Sequence, residues 1–264
     1  MAESNRSDLE GMIEDHKALE VLFWVVFAFG SLYILQVLYS LLKNSLWYCC
    51  KRRNVNTFAK YGNKVGKELV KERTWALVTG ASDGIGLQYC HELARRGFNV
   101  ILLSRTQSKL EKCALEIKGV QTYVIAKDLS KISTMEAARE LAERIPAELD
   151  LGLIINNAGY VMEGTIEEVD PAAQEDMIAV NALAPFYLTK ALLPRLLARK
   201  HRSGIINVSS VGSQNPIPGV VTYSCTKVFL SFFSRGLNFE LKVCNENIDV
   251  LDYTPAYVAT NMSK

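Results

Sequence analysis

Two kinds of apolar pattern divide the chain. From Val21 to Leu42 it reads "VLFWVVFAFGSLYILQVLYSLL", 22 residues without a charge. At helical rise this stretch spans roughly 33 Å, close to the hydrocarbon thickness of a bilayer. A core helix of that length would carry a polar stripe, and Gln36 with scattered Ser and Tyr does not form one. Farther along the pattern changes. Short apolar runs at 74–79, 99–104, 121–126, 151–156, 204–209 and 247–252 alternate with longer amphipathic stretches around 85–97, 106–118, 131–146, 171–200 and 222–244. The short runs are apolar almost throughout, as expected of strands buried on both faces. Six strand–helix repeats of this kind predict an α/β domain, a parallel sheet with helices on each side.

Charge sharpens the division. Residues 1–20 form an acidic N-terminal segment, with six acids against Arg6 and Lys17. After the apolar stretch, residues 43–73 hold nine Lys/Arg against Glu68 and Glu72. A secretory signal would begin basic and end in small residues, which this segment does not. The reading is a transmembrane helix at 21–42, with its cationic flank on the cytosolic side. Trp47 and Tyr48 sit where an interfacial aromatic belt is expected. A basic juxtamembrane linker then covers 43–72, and the globular domain 73–264. The net charge of +2 argues against a dedicated nucleic-acid binder.

Cysteine and histidine add little chemistry. Cys90, Cys113, Cys225 and Cys244 stand singly, in no C-x-x-C pattern, and read as reduced thiols. Cys49 and Cys50, beside the membrane end and a basic run, read equally as palmitoylation sites or as unmodified interfacial cysteines. His16, His91 and His201 have no metal-ligand spacing, so no metal is expected.

The chemistry-bearing motifs lie at the ends of the predicted strands. The first strand runs into "TGASDGIG", Thr79 to Gly86, and then into a helix. Glycines at 80, 84 and 86 let backbone N–H groups and a helix N-terminus approach a diphosphate, the logic of a Rossmann-like doubly wound sheet. The second strand ends at "LLSR". A NAD site would favour an acid there to hold the ribose 2′-hydroxyl; Arg105, with no acid before Glu111, favours a 2′-phosphate and hence NADP(H). Farther on, "YSCTK" places Tyr223 and Lys227 one helical turn apart on one face. A tyrosine titrates near pKa ~10, too high to exchange protons efficiently at neutral pH. A neighbouring cation favours the phenolate and lowers that value.

Together, "TGASDGIG" at 79–86, "NNAG" at 156–159, Asn181, Ser210 and "YSCTK" at 223–227 resemble a short-chain dehydrogenase/reductase over roughly residues 73–264. Within that family, "RTWALVTGASDGIG", the preceding membrane segment and the closing "YVATNMSK" are similar to the membrane-anchored 17-beta-hydroxysteroid dehydrogenase and very-long-chain 3-oxoacyl-CoA reductase group. The resemblance implies a catalytic set: Tyr223 as acid or base, Lys227 on the nicotinamide ribose and beside Tyr223, Ser210 on the substrate oxygen, and Asn181 supporting a water relay to Lys227. It implies cofactor contacts from Gly80, Ser82, Asp83, Gly84, Ile85 and Gly86 in the turn, and from Arg105. Asp128 would meet the adenine, and Asn157, Ala158 and Gly159 would line the adenosine side. Pro255, Val258 and Thr260 complete the set, with Thr260 near the nicotinamide amide. The expected activity is hydride transfer between NADP(H) and a lipophilic carbonyl or alcohol, such as a 3-oxoacyl-CoA or a hydroxy- or ketosteroid. The expected location is the endoplasmic reticulum membrane, single-pass, with the catalytic domain cytosolic. Membrane lipid is an expected neighbour, and a homodimer stays open.

Two departures from that family stand out. Ala256 follows Pro255 where glycine is usual, and the chain stops four residues after Thr260. Family members continue into helices over the substrate and a seventh strand, so the sixth strand is expected to be an exposed edge and the pocket to lack its lid. A truncated or alternative form, or completion of the site by another chain or the membrane, would follow. A scaffold or regulatory protein that binds cofactor with little turnover is the alternative function. Of the sequons at Asn5, Asn207 and Asn261, only Asn5 is expected on the lumenal side.

Overall fold

The computed structural model describes residues 2–53, 60–61, 64–65, 68–69, 73–244 and 246–258. The chain divides into two compact units, Met1–Thr57 and Phe58–Lys264. The first is a single helix, α1 (Ala2–Arg53), of 52 residues. Its apolar portion, Leu19–Lys43, has a mean hydropathy of 2.2, and none of it is buried within the protein. Phe23, Phe29 and Tyr33 are among the large side chains left exposed. The helix outruns the apolar stretch at both ends, so most of the acidic segment and the first part of the basic one are helical too.

The rest of the expected linker is not uniform. Two short strands, β1 (Lys64–Val65) and β2 (Glu68–Leu69), pair antiparallel. Tyr61 is buried in the domain core, and its hydroxyl donates to Asp249 at 2.7 Å. Lys60 and Arg202 also hold Asp249, at 2.6 and 2.8 Å. Lys60 and Tyr61 are therefore tied into the folded domain.

Its sheet comprises β3 (Trp75–Thr79), β4 (Asn99–Ser104), β5 (Thr122–Ala126), β6 (Leu151–Asn156), β7 (Ser203–Val208) and β8 (Ile248–Tyr253). All pairs are parallel, in the order β5-β4-β3-β6-β7-β8. Each strand lies within a residue of its expected position. The helices are α2 (Gly84–Arg95), α3 (Gln107–Glu116), α4 (Met135–Glu143), α5 (Pro171–Ile178), α6 (Ala184–Leu197) and α7 (Val221–Val243). Alternate residues of β3 enter opposite layers. Leu77 joins Leu141, Leu188, Leu192 and Leu237 from α4, α6 and α7, while Ala76 and Val78 join Leu93 and Leu110 from α2 and α3.

Two helices depart from the simple periodic reading. The stretch expected to be helical from 131 starts α4 only at Met135. Asp128 caps a short 3₁₀ turn, Leu129–Lys131, and Thr134 caps a fresh start through Ala137 N–H. The run expected as one helix over 171–200 contains a π-helical turn at Ala179–Leu183 between α5 and α6. Pro185 has no N–H to return to the carbonyl of residue 181, and the ladder widens there. This interruption carries Asn181.

Because β3 lies between β4 and β6, the connections leaving β3 and β6 run to opposite sides. A crevice opens at that reversal, outside the carboxyl ends of the strands.

Candidate active site

The crevice is a cleft of about 850 Å³, within the range of small-molecule and cofactor sites. One wall is the turn between β3 and α2. Gly80 and Gly84 have φ of 65° and 52°, which favour glycine. A Cβ on Gly86 would overlap the Gly80 carbonyl oxygen, and one on Gly80 would lie 2.9 Å from Asn157 Nδ2. Asp83 caps α2 by accepting from Gly84 N–H at 2.6 Å. Ser82 shares a 2.8 Å hydrogen bond with Ser104, at the end of β4. Gly80, Ser82, Asp83, Gly84 and Ile85 line the cleft, whereas Gly86 lies behind them as the close contact between helix and turn.

The turn is locked to β6 by one hydroxyl. Thr79 Oγ1 accepts from the backbone N–H of Asn157 at 2.9 Å and of Ala158 at 3.0 Å. Asn157 Nδ2 returns a bond to the Thr79 carbonyl at 3.0 Å. The segment 157–159 is thereby held along the floor of the cleft.

At the end reached by β4, Arg105 and Lys109 are exposed at the rim, and half-buried Lys127 lines it beside them. Three cations line that end of the cleft, where the sequence pointed to Arg105 alone. Lys109 follows Arg105 by four residues, a spacing legible in the sequence, whereas Lys127 joins them only because β5 pairs with β4. Asp128 also lines this end and accepts from Ser130 N–H at 3.0 Å.

The opposite wall comes from β7 and α7. Ser210 follows β7, and its hydroxyl accepts from Gly212 N–H at 3.1 Å, leaving its own proton to donate. Tyr223 and Lys227 both face the cleft from α7. Lys227 is only 4% exposed; its Nζ donates to the Val208 carbonyl at 2.9 Å and lies 5.6 Å from the centre of the Tyr223 ring. Burial lowers the Lys227 pKa to about 8.

Asn181 is fully buried behind this wall. Its amide donates to the Tyr160 carbonyl at 2.9 Å and to Thr226 Oγ1 at 3.2 Å, while its oxygen accepts from Tyr160 N–H at 3.0 Å. A Cβ on Gly159 would sit 3.0 Å from Asn181 Oδ1 and 3.2 Å from Lys227 Nζ, so that glycine makes room for both. Pro255 and Val258 line the cleft after β8. Thr260 lies outside the described residues. Among the described residues no cluster of His, Cys, Asp and Glu could hold a metal.

A parallel sheet in this order, with a glycine turn at the reversal and a facing Ser–Tyr–Lys wall, defines a Rossmann-type dinucleotide-binding protein. The chain belongs to the short chain dehydrogenase family, whose profile matches residues 74–264. It is 37% identical over 198 residues to very-long-chain 3-oxoacyl-CoA reductase-B of Danio rerio, covering 72% of this chain and 61% of that protein. With the very-long-chain 3-oxoacyl-CoA reductase of Podospora anserina it shares 36% over 243 residues, covering 90% of this chain and 67% of the relative. The chain thus spans about three-fifths of the zebrafish protein's length. Among solved structures, a short-chain dehydrogenase from Sphingobium yanoikuyae in complex with NADPH aligns with a TM-score of 0.65 and 32% identity, covering 72% of this chain and 73% of that one.

Proposed function

We propose that this chain is a membrane-anchored oxidoreductase that uses NADP(H) on a lipophilic carbonyl or alcohol, with long-chain 3-oxoacyl-CoA the first substrate to test. The observation that carries the reading is the buried Lys227 ammonium beside Tyr223, across one cleft from a glycine turn that excludes side chains. The names of the zebrafish and Podospora relatives support the acyl substrate, and the bound NADPH of the Sphingobium structure supports the cofactor.

The residues fit a dinucleotide. The space above Gly80 and Gly84, at the N-terminus of α2, suits a diphosphate. Arg105, Lys109 and Lys127 suit a 2′-phosphate. A reduced nicotinamide, when bound, supplies the hydride. The protein's own groups handle the proton. Tyr223 gives its phenolic proton to the carbonyl oxygen as an alcohol forms, and takes it back in the reverse direction. Ser210 donates a hydrogen bond to the same oxygen, where negative charge develops. Charged Lys227 would steady the phenolate left behind and would hold the nicotinamide ribose of a bound cofactor. Asn181, through Tyr160 and Thr226, fixes the backbone around Lys227.

The test is NADPH consumption by membranes containing the full chain, with 3-oxoacyl-CoAs of increasing length beside ketosteroids and retinoids, each against Tyr223→Phe. Turnover that rises with acyl length and disappears in the variant supports the reading. Cofactor binding without turnover on any carbonyl would instead identify a scaffold.

For location, the reading is a single span in the endoplasmic reticulum membrane, with α1 as anchor and residues after it in the cytosol. The apolar helix and the cationic excess beyond it support this. Any glycan should be on Asn5, and protease added to sealed microsomes should digest the catalytic domain. A glycan on Asn207 or a protected domain would reverse the orientation.

A further inference from the structure

Helix α7 carries Tyr223 and Lys227, and several of its buried residues are polar. Ser224, Thr226, Ser231 and Ser234 are all buried along the helix. Two of them bond to strands: Ser231 to Asp252 of β8 at 2.5 Å, and Ser234 to Asn207 of β7 at 2.8 Å. The second bond belongs to a longer chain. Asn156 Nδ2, at the end of β6, donates to Thr189 Oγ1 of α6 at 2.9 Å and to Asn207 Oδ1 at 2.8 Å. Asn207 Nδ2 then donates to Ser234 Oγ, which in turn donates a hydrogen bond to the Leu230 carbonyl at 2.6 Å. Asn207 is fully buried and Ser234 is 1% exposed.

The location gives this chain its meaning. Asn207 immediately precedes Val208, whose carbonyl holds the Lys227 ammonium. Ser209, the next residue, donates to the Lys227 carbonyl at 3.2 Å. Ser234 is seven residues beyond Lys227, about two helical turns along the same face. The Asn207–Ser234 bond and the Val208–Lys227 bond are therefore two rungs between the same strand and the same helix. Apolar contacts are non-directional and tolerate sliding. Hydrogen bonds weaken steeply with distance and angle, so a slip of one residue, about 1.5 Å along the helix, would break both rungs.

We propose that Asn207 and Ser234 are positioning residues for the reaction: their bond sets the height of α7 on β7 and so places Lys227 and Tyr223 in the cleft. Neither touches the cleft, and they act through the helix. The proposal rests on the catalytic reading of Tyr223 and Lys227, but its test does not depend on turnover.

The experiment uses the full chain in detergent, with Ser234→Ala, Ser234→Thr and, as a stability control, Leu141→Ala. Leu141 is buried in the same core but on α4. The first readout is acetylation of Lys227 by dilute acetic anhydride without cofactor, measured by peptide mass spectrometry at one pH. Losing the rung in Ser234→Ala should raise acetylation about fivefold through local opening, while Ser234→Thr, which keeps the hydroxyl, stays near wild type. Leu141→Ala should lower the melting temperature at least as much without raising Lys227 acetylation. The second readout is NADPH binding by fluorescence together with kcat, where Ser234→Ala should lower kcat about tenfold and weaken binding. Wild-type acetylation in Ser234→Ala, or an equal rise in Leu141→Ala, would overturn the proposal and leave the bond a matter of stability alone. If the wild type reduces no carbonyl, the functional reading falls, while acetylation still decides the role of the rung.

Discussion

The turn between β3 and α2 presents backbone to the cleft, whereas the wall formed by β7 and α7 presents side chains. In the turn, what matters is what is missing: Gly80 and Gly86 have no room for a Cβ, and Thr79 uses its hydroxyl only to hold neighbouring backbone. In the facing wall, Ser210, Tyr223 and Lys227 are useful through atoms that donate, accept or titrate. Damage to the first wall should appear as lost fit and stability. Damage to the second should appear as lost chemistry on an intact fold.

The largest expected effect is on the side-chain wall. Tyr223→Phe removes the proton donor and should lower kcat by about 100- to 10,000-fold. The phenyl ring keeps the packing, so NADPH binding by fluorescence should stay within a few-fold of wild type. Loss of binding comparable to the loss of turnover would erase the contrast between the walls.

Arg105→Asp tests the cationic rim that borders the backbone wall. It replaces an attraction to the 2′-phosphate with a repulsion and should cost roughly 10- to 100-fold in kcat/KM for NADPH, from a charged hydrogen bond of about 1.5–3 kcal/mol. NADH should be used as well as before or better. Unchanged selectivity would mean that Lys109 and Lys127 hold that end unaided. Gly86→Ala tests the backbone wall itself. Forcing a methyl against the Gly80 carbonyl should cost about 1–3 kcal/mol of stability, read as a lower melting temperature and weaker NADPH binding. A fully stable variant with normal binding would show that the turn relaxes more freely than its geometry implies.

The smallest effect is graded by pH. Lys227 titrates at about 8 in the folded domain, against ~10.4 in an unfolded chain. Above pH 8 the folded chain loses this charge, so kcat/KM for NADPH should fall toward tenfold per pH unit. Stability runs the other way. Between about 8 and ~10.4 the unfolded chain binds more protons, so this group's contribution to unfolding free energy rises with pH, and its cost is fully present below about 8. A cofactor-free melting temperature that ignores Lys227→Met across that window would show that burial does not govern this lysine.

Much of the cleft was legible from residues alone. A glycine turn after a strand, an arginine at the end of the next strand and a Tyr–Lys pair at helical spacing each encode their purpose locally, because turn geometry and helical periodicity act over a few residues. The Thr79 clamp, Lys127 and the Asn156–Asn207–Ser234 chain were not legible. Their partners are far apart in sequence and meet only when strands align in the sheet. Asn181 is legible only by resemblance, and its support of Tyr160 depends on a π-turn where periodicity predicts ordinary helix.

Two apolar segments show where sequence stops deciding. Leu19–Lys43 and Pro171–Leu197 both have the length and hydropathy to cross a membrane, with means of 2.2 and 1.3. The first has none of its apolar window buried within the protein, whereas the second has 56% of its window buried. The sequence by itself determined that both would be helical and needed an apolar environment, since those properties follow from composition and backbone hydrogen bonding. Only the tertiary structure decided which environment the second receives. Leu188, Leu192 and Leu196 of α6 pack into the core beneath the sheet with Leu141 of α4 and Ile154 and Ile205 of β6 and β7. That core exists only after six strands have closed side by side, because burial is a property of the assembled neighbours and not of the segment that is buried.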